Sequence, residues 1–75
     1  MPEDVRRLVG RNVRRLRIAA GMTQAELAEG MGVDRAYVSG LEKGVRNPTI
    51  ITLWHTAKAL GARLQDLTAD RTARR

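Results

Sequence analysis

The chain has no cysteine, no phenylalanine, and one residue each of histidine, tryptophan and tyrosine among its 75. The missing thiols exclude a disulfide framework, a zinc finger and a cysteine nucleophile, and His55 has no second histidine or clustered carboxylate at ligand spacing. There is no nucleophile constellation, no acid-base pair and no glycine loop of the kind that cradles phosphates, so an enzyme is the least favoured class. No metal, cofactor or small-molecule ligand is expected. Apolar runs stay well short of the roughly 20 residues that cross a bilayer, and the N-terminal segment alternates arginines with aliphatics where a signal peptide would carry an apolar centre. A cytoplasmic location is expected. Acidic residues are scarce: eight of them face fourteen basic ones, for a net charge of +6.

That excess favours a polyanionic partner. Twelve of the fourteen cations are arginine. A GC-rich coding bias would explain arginine over lysine, but not the net excess. The arginine-rich N-terminal stretch lacks the Trp and Phe anchors of a membrane-surface helix, so no membrane association is expected. A chain this short is near the lower limit for one unassisted hydrophobic core, and dimerisation would help it.

Hydrophobic spacing predicts an all-α, compact five-helix domain over residues 1–70, followed by a basic disordered tail at 71–75. The first helix is expected from about Glu3 to Ala20, with Pro2 near its first turn, Gly21 as its stop, and Val5, Leu8, Val9, Val13 and Leu16 as its apolar face. Its arginines form a charged face of the kind that is more often solvated than binding. Thr23 and Glu26 form a capping-box signature for a second helix, about Gln24 to Met31. Gly32 suits a turn of positive φ, and Asp34 caps a third helix, about Arg35 to Lys43, with Val38 and Leu41 inward and Gly44 at its end. Gly30 and Gly40 each cost up to ~1 kcal/mol against alanine inside a helix. Gly30 is assigned to a frayed end, and Gly40 to the outward face. After a loop from Val45 to Pro48, Thr49 caps a fourth helix, about Ile50 to Leu60, with Ile50, Leu53, Ala57 and Leu60 toward the core. A fifth covers about Arg63 to Leu67.

Two short helices joined by a glycine turn from Met22 to Gly44, with TQAELA, GV, LEKG, RNPT and TLWHTAKALG in order, resemble the Cro and phage-repressor type of helix-turn-helix domain, the Xre family. The likeness spans roughly Val9 to Leu67. Within that family, DRAYVSGLEKGVRNPTI is most similar to the controller proteins of restriction-modification systems. The resemblance implies a homodimer that binds double-stranded DNA at a palindromic operator; antitoxins, prophage repressors and protein-interaction modules on the same scaffold are the alternatives. It also implies an ion pair between Arg17 and Glu42.

In this docking mode the start of the third helix meets base edges. Arg35 stands there and can donate twice to guanine O6 and N7, the alternatives being a phosphate contact or a salt bridge to Asp34. Ala36 can touch a thymine methyl, and Ser39 a base edge or a phosphate. Thr23, Gln24 and Lys43 are placed for the DNA backbone, Gln24 through both its N–H and its side-chain amide at the positive end of a helix. Arg46 and Asn47 resemble the family's backbone clamps. Tyr37 has two readings, core ring or phosphate-binding hydroxyl. Ile51 and Trp54 fall off the core stripe and, with Leu64 and Leu67, are the candidates for a dimer interface; Trp54 as a cover for the fifth helix is the competing assignment.

Overall fold

The computed structural model describes residues 4–70, and these form five helices in order: α1 (Val5–Ala19), α2 (Gln24–Met31), α3 (Arg35–Lys43), α4 (Ile50–Leu60) and α5 (Leu64–Thr68). The helix starts follow from local hydrogen bonding. Thr23 Oγ1 accepts from the Glu26 N–H at 3.0 Å, while the Thr23 N–H donates to Glu26 Oε1 at 2.8 Å. Asp34 and Thr49 accept in the same way from the N–H groups of Tyr37 and Thr52. Such caps satisfy donors that the first turn leaves without partners. Gly32, at φ 74°, makes the turn from α2 into α3, a backbone region that a side chain would strain.

The start of α1 differs from expectation. Asp4 caps it by accepting from the Arg6 N–H at 2.9 Å, so the helix opens at Val5; Pro2 and Glu3 lie outside the described residues, as does the expected tail at 71–75.

The core is made by Val9 and Val13 of α1, Leu27 and Ala28 of α2, Val38 and Leu41 of α3, Ala57 of α4 and Leu67 of α5. Two expected core residues are exposed, Val5 at 59% and Ile50 at 62%. Both occupy first turns, where the apolar stripe continues past the last neighbouring helix. Thr56 is fully buried on α4, its hydroxyl donating to the Thr52 carbonyl at 2.8 Å.

Close crossings explain the interior glycines. A Cβ at Gly10 would stand 2.6 Å from the carbonyl oxygens of both Leu41 and Glu42, so α1 crosses the end of α3 at backbone distance. Gly30 is not a frayed end: it belongs to α2, and a Cβ there would come within 3.2 Å of Ala59 Cβ on α4. Asn12 is buried on α1, and its amide donates to the Leu67 and Ala69 carbonyls at 2.9 Å each. These bonds hold the end of α5 against α1.

Candidate nucleic-acid interface

Val38 and Leu41 face the core, so helical geometry turns Ala36, Ser39 and Lys43 to the opposite side of α3, with Arg35 in its first turn. Arg35, Ala36 and Lys43 are exposed and Ser39 is half-buried. An exposed helix face with small residues at its centre and cations at both ends has a shape and charge that the major groove admits.

One side of α3 is bordered by a polar chain drawn from three helices. Arg17 donates from Nε to Glu42 Oε2 at 2.6 Å and from Nη2 to Glu42 Oε1 at 3.1 Å, while its Nη1 donates to the Met22 carbonyl at 2.8 Å. The Glu42 hydrogen bond holds the Arg17 guanidinium above its ordinary pKa, against the opposing effect of burial. Gln24 then donates from Nε2 to Glu42 Oε1 and accepts from Arg35 Nη1 on Oε1, each at 3.1 Å. This arrangement bears on two of the sequence readings. The Gln24 amide spends one N–H on Glu42 and its oxygen on Arg35, which leaves its second amide N–H and its backbone N–H as donors for a phosphate. Arg35 bonds Gln24 and not Asp34, whose Oδ1 accepts from the Tyr37 N–H as the cap of α3.

The opposite side of α3 is bordered by the loop after Gly44. Arg46 lies with its guanidinium 5.0 Å from the centroid of the Tyr37 ring, a cation–π distance. The same side chain covers Gly40: a Cβ there would stand 2.9 Å from Arg46 Nε. Gly40 is therefore buried, not open on the outward face, and its missing side chain makes room for Arg46. Tyr37 is half-buried and serves as the platform for this stack; Asn47 is exposed beside it.

The apolar residues expected at a dimer contact separate into two groups. Ile51 is 63% exposed and Trp54 49% exposed, with Lys58 Nζ 5.5 Å from the centroid of the indole ring. Ile50 joins them on the same side of α4. Leu64 is half-buried against the core, and Leu67 is fully buried within its own chain and offers no surface to a partner. The Asn12 bonds to α5 explain why Leu67 turns inward. The missed residues, Gly10 and Asn12, share one weak signal: a small or polar residue inside an apolar arc.

The sequence model of the family described as "Helix-turn-helix" matches residues 13–67. The chain is similar to an "HTH-type transcriptional regulator y4dJ" of Sinorhizobium fredii, at 52% identity over 58 residues, covering 77% of this chain and 75% of that one. It is similar to the control protein C.BamHI of Bacillus amyloliquefaciens, at 35% identity over 68 residues, covering 89% and 84%. Among solved structures, the restriction-modification controller protein C.AhdI of Aeromonas hydrophila superposes with a TM-score of 0.80 at 37% identity, covering 83% of this chain and 90% of that one.

Proposed function

The chain belongs to the helix-turn-helix family of DNA-binding transcriptional regulators, and from that premise we propose that it acts as a homodimer on a two-fold symmetric operator, as the controller of a restriction-modification system. Arg35 reads a guanine in each half-site through O6 and N7. Its single bond to Gln24 uses one of the five N–H donors of the guanidinium and holds the group at the start of α3 without exhausting it. Ala36 and Ser39 follow the same groove. The Gln24 N–H, the Thr23 hydroxyl, Lys43, Arg46, Asn47 and the Tyr37 hydroxyl contact phosphates, fixing register and not sequence.

One recognition helix covers a few base pairs; a symmetric partner one turn away, about 34 Å, doubles the reading. Ile51 and Trp54 on α4, with Ile50, supply an apolar surface for that partner. The observation that carries the proposal is the exposed face of α3, led by an arginine held at its first turn. The controller assignment is supported by the likeness to C.AhdI. Selecting bound duplexes from a random pool tests the whole reading. Enrichment of two inverted copies of a short guanine-containing half-site, about one helical turn apart, is expected. No enrichment, or a single unrepeated site, overturns it.

A further inference from the structure

Between the start of α1 and the end of α3 lies a partly open cleft of about 230 Å³, lined by Arg7, Arg11, Glu42 and Lys43. Glu42 brings little unbalanced charge to it, since both of its oxygens accept from Arg17. The remaining three lining residues are cations. The position of Arg7 is fixed by packing: Gly44 lies so close to α1 that a Cβ there would stand 2.8 Å from Arg7 Cγ and 3.0 Å from Arg7 Cα. Arg11 follows Arg7 by one helical turn, and Lys43 shares the outward face of α3 with Ala36 and Ser39. The cleft thus continues the border that begins at Gln24, on the side of α3 opposite Arg46.

We propose that Arg7 and Arg11 of α1, with Lys43, hold backbone phosphate of the bound duplex, a contact outside the helix-turn-helix. The inference rests on the DNA-binding reading above. It gives α3 a cationic border on each side, Arg46 with Asn47 along one and the α1 arginines along the other, so that both strands flanking the groove are gripped. A cleft that brings two guanidinium groups and an ammonium beside a neutralised carboxylate offers several donors to a phosphodiester, and arginine meets phosphate oxygens in bidentate geometry.

The test compares Arg7→Gln/Arg11→Gln with Arg15→Gln/Arg63→Gln, a double variant that removes the same charge from the α5 side of the molecule. Each is titrated on operator and scrambled duplexes at several salt concentrations, after its melting temperature has been checked. The Arg7/Arg11 variant is expected to flatten the slope of log affinity against log salt by about one to two units, at ~0.9 per phosphate, on both duplexes. The control should change it little, because salt screens exposed charges beyond about 8–10 Å. Arg7→Lys/Arg11→Lys should keep most of the slope. Equal slopes for the Gln variant and the control overturn the proposal, as does a Lys variant that behaves like the Gln one, which assigns these residues to packing. Pyrophosphate binding that the Gln variant abolishes, with its duplex slope matching the control, assigns the cleft to free phosphate anions instead. A wild-type chain with no salt-dependent duplex affinity removes the regulator reading and this inference together.

Discussion

Arg17 and Glu42 meet in two parallel contacts, Nε to Oε2 at 2.6 Å and Nη2 to Oε1 at 3.1 Å, with side chains 11% and 4% exposed. The pair ties α1 to the end of α3, and through Gln24 it reaches Arg35. An ion pair buried to this degree contributes mainly by what its rupture leaves behind: a charge without a partner costs about 3–5 kcal/mol. Arg17→Met is therefore expected to lower the melting temperature by well over 10 °C, at about 4–8 °C per kcal/mol for a domain this size. Arg14→Met, on the exposed side of the same helix, should shift it by only a few degrees. Thermal denaturation followed by circular dichroism separates the two, and equal shifts would mean that the pair contributes nothing to the fold.

Gly10→Ala is expected to destabilise the protein even though alanine is the better helix former by about 1 kcal/mol. The new methyl would lie 2.6 Å from two backbone carbonyl oxygens of α3, and neither backbone nor helix crossing can give way cheaply. A net loss of about 1–3 kcal/mol follows from overpacking. Chemical denaturation measures it, and a stabilised Gly10→Ala variant would contradict the close crossing.

Acid should loosen the start of α1. The Asp4 carboxyl is lowered from its ordinary 3.8 to about 2, first by the side-chain hydrogen bond from Arg6 and next by the Arg6 N–H. A carboxylate whose folded pKa is depressed stabilises the fold above its unfolded pKa and loses that contribution as pH falls through the folded value. The window here runs from about pH 4 down to about pH 2. Amide resonances of the first turn should report a transition in that window, which Asp4→Asn should abolish. A transition that persists in Asp4→Asn would assign it to another carboxylate.

Trp54 and Ile51 can be tested for self-association apart from DNA binding. Sedimentation of the wild-type chain should show a concentration-dependent dimer, and Trp54→Ser with Ile51→Ser should shift it toward monomer while the melting behaviour of the monomer changes little. Dimers that persist in that variant would move the contact elsewhere on the surface.

Helix ends were legible in the sequence because their causes are local: Thr23 with Glu26, Asp34 with the turn above it, and Thr49 with Thr52 are hydrogen bonds across three residues. What failed depended on partners that local spacing does not contain. Val5 and Ile50 continue an apolar stripe, but the stripe does not record where the neighbouring helix stops. Asn12 finds its acceptors 55 and 57 residues away, at the end of α5, and the same bonds explain why Leu67 is core and not interface. The spacing of α3 shows which side Gly40 is on but not that it is buried, which comes from the path of the loop that brings Arg46 back over Tyr37.

The central claim is that the first turn of α3 reads sequence while its borders hold the backbone, and titrating Arg35→Ala beside Arg46→Ala on operator and scrambled duplexes tests it most directly. Arg35→Ala should lose roughly 1–3 kcal/mol per half-site on the operator, relax discrimination at one base position, and bind scrambled duplex nearly as the wild type does. Arg46→Ala should weaken both duplexes alike and flatten the salt dependence by about one unit. Equal losses on operator and scrambled duplex for Arg35→Ala would contradict the account, assigning Arg35 to the backbone and leaving Ser39 and DNA shape to carry specificity.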